Sequence, residues 1–212
     1  MKNFILSKSI FYRTYQKIVR GQNSEYNFYE FVFNKLYNKV GKLNVLDICC
    51  GDSFILNYVK QYLNTYTGLD YNENYLKNCK IKWPNFNFLK LDLKSFNNFK
   101  SLNLNKINVV FLHGVIHHFD DKLLTRIIRN LTNSYPKSYY IFADPVIDNN
   151  KLINRVMIYY DRGKFIRKKL EYKIIMKEFE SFIVDDFYKM SFKYIFHYKN
   201  FNLKKYYNQW KI

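Results

Sequence analysis

The fold is decided by one short stretch of the chain, Val45-Leu46-Asp47-Ile48-Cys49-Cys50-Gly51-Asp52-Ser53. Its apolar residues and the acid Asp47 are typical of the end of a strand, and Gly51 marks a short turn. A helical pattern begins directly afterwards, at Phe54. In α/β proteins, ligands bind beyond the carboxyl end of the strand in such a strand–turn–helix unit. We therefore expect a ligand site at this turn.

Strand and helix patterns alternate along the whole chain. Strands are predicted over residues 43–48, 65–70, 86–91, 107–112, 139–143, 182–187 and 192–198. Helices are predicted over residues 9–19, 24–39, 54–63, 73–81, 121–132 and, with a break near Gly163, 149–178. This alternation predicts an α/β fold with a largely parallel sheet and helices on both faces. The sequence contains no repeat and no linker, so we expect one domain over residues 1–212, with N-terminal helices in 1–40.

The composition is strongly basic. The 212 residues include 35 Lys and Arg against 17 Asp and Glu, which gives a formal net charge of +18. Such a charge ordinarily indicates nucleic acid or an anionic membrane surface as a partner. The basic residues are dispersed, however, and residue types with A/T-rich codons are abundant throughout. We therefore attribute the charge to genome composition, and an RNA-binding surface is the alternative.

The three cysteines, at positions 49, 50 and 79, have neither the spacing of a metal site nor that of a disulfide framework. They fit a reducing, cytoplasmic compartment, and we expect no metal. The apolar run in residues 1–6 is too short for a signal peptide, and no stretch is apolar enough to span a membrane.

Acidic residues stand at the ends of the first three predicted strands: Asp47, Asp70 and Asp92. An acid at the end of the second strand can accept hydrogen bonds from ribose hydroxyls. The alternative for Asp70 is an N-cap of the next helix, a role that Asn72 could share. The alternative for Asp92 is a solvated loop residue. NAD binding would require an intact Gly-x-Gly-x-x-Gly motif, which is missing.

These features resemble those of class I S-adenosylmethionine (SAM)-dependent methyltransferases. Asp47 and Gly51 match their first motif, whereas Cys49 and Ser53 stand where glycines are usual. We expect Ser53 to be tolerated because its hydroxyl faces the cofactor or caps the following helix. The resemblance implies a Rossmann-like, seven-stranded sheet and SAM as cofactor. It also implies a cofactor-binding set of Asp47, Cys49, Gly51, Ser53, Asp70, Tyr71, Asp92, Leu93 and His113, in which Asp92 meets the adenine amino group.

The fourth strand continues into His113-Gly114-Val115-Ile116-His117-His118-Phe119-Asp120-Asp121. This run resembles the family segment that borders the methionine end of the cofactor and the methyl acceptor. The resemblance makes His117, His118 and Asp144 the catalytic candidates, with His113 as a further candidate base. For each histidine, the alternative is a structural hydrogen bond. We expect one histidine of the His117–His118 pair to pack structurally and the other to face the acceptor.

A narrower resemblance, to a mostly uncharacterised branch of small bacterial methyltransferases, covers about residues 11–198. It rests on Tyr12-Arg13-Thr14-Tyr15-Gln16, on His117-His118, on Asp144-Pro145, on Asp161-Arg162-Gly163-Lys164-Phe165-Ile166-Arg167 and on Glu171-Tyr172. In such enzymes the segment 146–178, before the sixth strand, forms an acceptor cover. It contains Tyr159, Tyr160, Arg162, Phe165, Arg167 and Tyr172, which would suit a sugar or an anionic small molecule. The alternative is an ordinary amphipathic helix pair.

Taken together, the sequence favours methyl transfer from SAM to a small-molecule acceptor, such as a hydroxyl or amine of a sugar or metabolite. RNA methylation is the second interpretation, favoured by the charge. A non-catalytic SAM-fold binding or scaffold subunit is the third, because Ser53 replaces a usual glycine.

Overall fold

The strand that precedes the decisive turn, β1 (Leu43–Ile48), lies at the centre of the sheet in the computed structural model. The structure describes residues 24–104, 106–147, 163–184 and 193–211. Four apolar residues of β1 are buried, and they point alternately to the two faces. Burial on both faces is typical of a central parallel strand covered by helices.

The other elements follow in chain order. The strands are β2 (Leu63–Asp70), β3 (Asn87–Lys90), β4 (Val109–His113), β5 (Tyr139–Ile147), β6 (Arg167–Lys168), β7 (Glu180–Val184) and β8 (Tyr194–Lys199). The helices are α1 (Ser24–Val40), α2 (Leu56–Val59), α3 (Glu73–Lys82), α4 (Asp121–Ser134), α5 (Lys169–Ile175) and α6 (Leu203–Trp210). Short 3₁₀ turns cover Lys60–Tyr62, Phe99–Leu102 and Ile116–His118.

The described strands form one sheet in the order β3-β2-β1-β4-β5-β8-β7. Strands β1 to β5 run parallel, and β8 pairs antiparallel with both β5 and β7. The last residues of β5, Val146 and Ile147, pair instead with β6. The strand order reverses between β1 and β4, and such a switch point opens a crevice at the carboxyl ends of the strands.

Two apolar layers cover the sheet. One layer contains the buried residues of α1, α2, α3 and α6, including Phe28, Val32 and Leu36 of α1. The other contains the buried residues of α4 and α5, such as Leu124 and Tyr172. The two layers cover the two faces of the sheet, whereas the expected site lies at its edge, where β1 to β5 end.

The prediction of a Rossmann-like, mostly parallel sheet flanked by helices is confirmed. Three elements differ from the prediction. The stretch 54–63 contains only α2 and a 3₁₀ turn, and α6 was not predicted although Leu203 and Tyr207 form a buried face of it. The described part of 149–178 begins with β6, which pairs with β5 and leaves only α5 helical.

The helix predicted over 9–19 and the first part of 149–178 lie outside the described residues, and the limits of a single domain stay a prediction. Among the helices that the structure describes, none is long and apolar enough to cross a membrane.

The decisive turn fits closely against β2 at Gly68. A Cβ atom on Gly68 would lie 2.7 Å from Cys50 Sγ and 3.0 Å from a ring carbon of Phe88. We therefore expect Gly68→Ala to lower the free energy of unfolding by about 1–3 kcal/mol through overpacking. The loss should be smaller in a Cys50→Ala background, because the closest atom is then gone. Urea unfolding of the four proteins of this double-mutant cycle measures the coupling, and strictly additive losses would contradict the contact.

Candidate functional site

The three acids predicted at strand ends converge on the turn after β1. Asp47 and Asp70 are buried and Asp92 is exposed. Burial and the negative charges of Asp70, Asp47 and Asp92 raise the pKa of the Cys49 thiol well above its ordinary value, so all three carboxylates act on this one side chain. The edge of the sheet therefore concentrates negative charge in a basic chain, which favours a ligand with positive charge.

Asp70 ties the end of β2 to the turn. Its Oδ2 accepts the N–H of Gly51 at 2.9 Å, and its Oδ1 accepts the N–H of Asn72 at 2.8 Å. The N-cap of α3 is Asn72, whose side-chain oxygen accepts the N–H groups of Asn74 and Tyr75. The N-cap alternative for Asp70 is thus wrong. Because a carboxylate has about four acceptor positions, Asp70 can accept further hydrogen bonds from a ligand.

The turn itself uses left-handed backbone at three positions. Cys49, Gly51 and Ser53 have φ angles of 57°, 54° and 49°. Such a conformation costs a non-glycine residue roughly 1–2 kcal/mol, which explains why glycines are usual at the first and third of these positions. A Cβ atom on Gly51 would meet nothing within 4 Å, so the space beside the turn is open.

The Ser53 hydroxyl points into the core beneath the turn. Ser53 is buried, and its Oγ lies 3.1 Å from the Tyr66 hydroxyl and 3.6 Å from Cys79 Sγ. The Tyr66 hydroxyl lies between Ser53 Oγ and Asp47 Oδ2, so these three side chains form one buried hydrogen-bond network. The expectation that this hydroxyl faces the cofactor or caps the following helix is therefore wrong. A cofactor role for the Ser53 backbone stays a prediction.

Asp47 is the most strongly perturbed acid at this edge. Burial raises its pKa from 3.8 to about 7, the charge of Asp70 adds to the rise, and the hydrogen bond from Tyr66 opposes it. Tyr66 had no role in the sequence analysis, since an inward-facing tyrosine on β2 cannot be distinguished by pattern from an ordinary core residue. A positive charge placed beside Asp47 would favour the ionised form.

The remaining predicted cofactor residues border the same edge. Asp92 Oδ1 accepts the N–H of Lys94 at 2.9 Å, and the next residue, Leu93, is buried. Tyr71 is 68% exposed, directly after Asp70. His113 ends β4, where its Nδ1 lies 2.8 Å from the Tyr29 hydroxyl and its ring stacks on Tyr194. Contact of any of these side chains with a cofactor stays a prediction.

The catalytic candidates His117 and Asp144 form a buried pair. Both oxygens of Asp144 lie 3.0 Å from His117 Nδ1, and Asp144 has no exposed surface. The N–H of Ile116 also donates to Asp144 Oδ1, at 3.0 Å. His118 is exposed, and its ring centroid lies 4.4 Å from that of His117. The neighbouring histidines thus differ in environment, and the role of each stays a prediction.

Residues 163–178, the described part of the expected acceptor cover, contact the 3₁₀ turn Ile116–His118, here called the histidine turn. Arg167 is buried and donates to Asp121 Oδ1 and to the carbonyl oxygens of Phe119 and Phe165. The hydroxyl of buried Tyr172 donates to Asp144 Oδ2 at 2.7 Å. The polar groups of Arg167 and Tyr172 thus bond inside the protein, and an acceptor cover over residues 146–178 stays a prediction. The cover residues at positions 159, 160 and 162 lie outside the described residues.

The histidine that the sequence analysis gave no role, His197, lies on β8 beside this cluster. Its ring centroid is 5.2 Å from that of Tyr172, and its Nδ1 lies 3.0 Å from Ser181 Oγ. Burial lowers the pKa of His197 to about 4, with the charge of Asp144 opposing the shift, so this ring is neutral near pH 7. Within the described residues, no group of histidines, cysteines and acids could hold a metal ion.

Residues 39–200 match a protein family described as a methyltransferase domain. A comparison with curated proteins gave no significant match.

Several solved structures share the fold at low sequence identity. The plantazolicin methyltransferase BpumL, in complex with a desmethylPZN analog and SAH, is 14% identical with a TM-score of 0.62 over 94% of this chain and 95% of that chain. Magnesium protoporphyrin IX methyltransferase from Synechocystis PCC 6803, with bound SAH, is 14% identical with a TM-score of 0.56 over 91% and 95%. The mitomycin 7-O-methyltransferase MmcR is 15% identical with a TM-score of 0.59 over 81% of this chain, which spans about half (53%) of MmcR.

The raised pKa of Asp47 predicts a pH-dependent stability. The folded protein keeps this proton up to about pH 7, whereas the unfolded chain releases it near 3.8. The contribution is therefore most favourable below pH 4 and is lost as the pH rises towards 7, at roughly 1.4 kcal/mol per pH unit. Asp47→Asn removes this titration and keeps an oxygen for Tyr66. The stability of the variant relative to wild type should consequently increase between pH 5 and pH 7.

Denaturant unfolding at several pH values measures this difference. The matched control is Asp52→Asn, which alters an exposed acid of the same turn. A difference for Asp47→Asn that does not change between pH 5 and pH 7 would contradict the prediction.

Proposed function

The chain belongs to the methyltransferase domain family, and we propose that it transfers the methyl group of SAM to a small-molecule acceptor. The observation that carries the proposal is the buried His117–Asp144 pair at the carboxyl ends of β4 and β5. This pair lies at the same edge of the sheet as Asp47, Asp70 and Asp92, which are here called the acidic edge. One end of the site is thus suited to a cationic cofactor and the other to a proton transfer.

The residues at the acidic edge fit SAM. Asp70 retains acceptor positions for the ribose hydroxyls, Asp92 adds negative charge, and a cationic ligand would favour the ionised form of Asp47. The open space beside Gly51 leaves room for a ligand against the backbone of the turn. When bound, SAM supplies an electrophilic methyl group on a positively charged sulfur. The SAH found in the plantazolicin and magnesium protoporphyrin IX methyltransferases supports this cofactor.

The His117–Asp144 pair supports removal of a proton from the acceptor. When the carboxylate accepts a hydrogen bond from the protonated Nδ1 of the imidazole, the other ring nitrogen, Nε2, is the basic atom. A hydroxyl acceptor needs such a base, whereas an amine needs chiefly orientation and desolvation. We assign His117 as the base and His118, its exposed neighbour, as a residue that faces the acceptor.

A small acceptor is favoured over RNA by the distribution of charge. Exposed lysines occur on helices of both sheet faces, for example Lys35 on α1, Lys80 on α3, Lys122 on α4 and Lys173 on α5. A nucleic-acid surface would gather them on one side. The names of the plantazolicin, mitomycin and magnesium protoporphyrin IX methyltransferases also refer to small molecules. A purely scaffolding role is disfavoured because the fully buried carboxylate of Asp144 is costly where no chemistry uses it.

The cofactor assignment predicts that Asp70→Asn weakens SAM binding. The variant loses the negative charge and one acceptor, which corresponds to about 1.5–3 kcal/mol for hydrogen bonds to a charged group. Titration calorimetry measures the affinity, with thermal unfolding to confirm the folded state. Glu178→Gln is the control, because this exposed acid pairs with Lys199 at the opposite end of the strands, and it should bind SAM as wild type does. Unchanged affinity in folded Asp70→Asn would contradict the ribose assignment.

The proposed reaction is tested by methyl transfer from labelled SAM into total RNA and into small-molecule extracts, in parallel. We expect incorporation only into small molecules, and RNA binding that falls by about 10³-fold between 50 and 200 mM salt, as expected of non-specific phosphate contacts. Salt-resistant RNA binding with methyl transfer into RNA would overturn the choice of acceptor. Absence of transfer into either pool would favour the scaffold interpretation.

The acceptor found in this way allows the two histidines to be separated. His117→Asn should reduce turnover of a hydroxyl acceptor by about 10²-fold or more, the usual contribution of a general base, and should also lower the melting temperature. His118→Asn should leave the melting temperature unchanged. Equal losses of stability without a specific effect on turnover would make both residues structural.

A further inference from the structure

We propose that residues 163–172, here called the strap, are a positioning device that fixes the tautomer and the orientation of His117, and that Tyr172 is its decisive residue. The inference rests on the proposed function only in that His117 is taken to be the base that accepts a proton from the methyl acceptor. The physical state of the ring can be measured without any reaction.

Asp144 is the group through which the strap acts. It has no exposed surface, and it accepts hydrogen bonds from the N–H of Ile116 on Oδ1 and from the Tyr172 hydroxyl on Oδ2. Each oxygen therefore has its own donor. These two fixed donors orient the plane of the carboxylate so that both oxygens lie 3.0 Å from His117 Nδ1. Because a carboxylate has no proton to donate, Nδ1 must carry the proton, and Nε2 is left basic.

The Tyr172 hydroxyl is suited to this task because it cannot readily lose its proton. Burial and the negative charge of Asp144 raise the pKa of Tyr172 well above its ordinary value, so the hydroxyl stays a donor over the physiological range. A second acceptor, the carbonyl oxygen of Pro145, lies 3.0 Å away, at the end of the same strand as Asp144. The hydroxyl is thus held at β5 by two acceptors.

The rest of the strap encloses the histidine turn. A Cβ atom on Gly163 would lie 1.7 Å from His117 Cδ2, so only glycine lets the backbone pass over the ring. The N–H of Phe165 donates to the carbonyl oxygen of His117 at 2.9 Å. Arg167 donates to the carbonyl oxygens of Phe165 and Phe119, so it joins the strap to the residue two positions after His117. The backbone and side chain of His117 are therefore restrained together.

The charged and titratable neighbours of the cluster are consistent with this role. The guanidinium of Arg167 lies 5.8 Å from the centre of the Tyr172 ring and is paired with Asp121. His197 is neutral because burial lowers its pKa to about 4, and His118 lies beside the His117 ring. The carboxylate of Asp144 is in contact with Nδ1 of His117, so its orientation favours the proton on that nitrogen.

The test compares Tyr172→Phe with Tyr140→Phe. Each variant removes one buried tyrosine hydroxyl, but the hydroxyl of Tyr140 donates to backbone carbonyl oxygens of Leu131 and Tyr135 and does not touch the cluster. Long-range ¹H–¹⁵N NMR spectra report the tautomer of each of the four histidine rings, and loss of one signal set in His117→Gln assigns His117. We expect a single tautomer with the proton on Nδ1 in wild type and in Tyr140→Phe between pH 6 and 8.

In Tyr172→Phe we expect a mixture of the two tautomers and a changed titration of His117. With the acceptor found above, kcat should fall at least tenfold and its pH profile should shift, whereas KM for SAM should stay within twofold of wild type. A single Nδ1-protonated tautomer and an unchanged kcat in folded Tyr172→Phe would overturn the proposal.

Two further outcomes are distinguishable. If Tyr172→Phe does not fold, the wild-type spectrum still decides, because a His117 ring protonated at Nε2 contradicts the proposal and an Nδ1-protonated ring supports it. If Tyr172→Phe changes the tautomer but wild type transfers no methyl group to any acceptor, the positioning role stands and the proposed function fails.

Discussion

The fully buried carboxylate of Asp144 is the constraint on which the acceptor end of the site depends. A charge without exposed surface is stable only when hydrogen-bond donors surround it. The chain supplies three donors from two separate segments: the backbone of Ile116 and the imidazole of His117 from one, and the hydroxyl of Tyr172 from the other. Because these donors bond to Asp144, the turn after β4 and the strap both pack against the end of β5. The same contacts leave the imidazole in a defined state beside the ends of the central strands.

At the cofactor end of the site, the buried carboxylates of Asp70 and Asp47 are stabilised to different extents. Asp70 is buried but receives two backbone N–H donors, whereas Asp47 is buried with only the Tyr66 hydroxyl opposing its desolvation. Asp47 is therefore destabilising when ionised in the absence of a positive charge. A positive charge beside Asp47 would relieve this cost. The left-handed conformations of Cys49 and Ser53 add a second local strain at the same place.

Much of this arrangement was predictable because parallel strands end at one edge. The alternation of strands and helices predicted the sheet, and from the sheet followed the convergence of Asp47, Asp70 and Asp92. Side-chain directions were not predictable in the same way. The Ser53 hydroxyl points into the core because Tyr66, on the next strand, provides its partner. Arg167 is buried because its guanidinium donates hydrogen bonds to Asp121 and to two carbonyl oxygens. Asp121 and one of the carbonyl groups lie more than forty residues earlier in the chain, and the other carbonyl group lies two residues earlier.

The sequence by itself determined the order of the five parallel strands, the position of the turn and the residues that carry charge at the strand ends, since all of these depend on local patterns. It also contained Gly163, Arg167 and Tyr172 as a recognisable segment without indicating what they do. Only the tertiary structure decided that this segment crosses the histidine turn and that Tyr172 meets Asp144, 28 residues earlier. Contacts between distant segments depend on packing and on the satisfaction of buried polar groups, which no local pattern encodes.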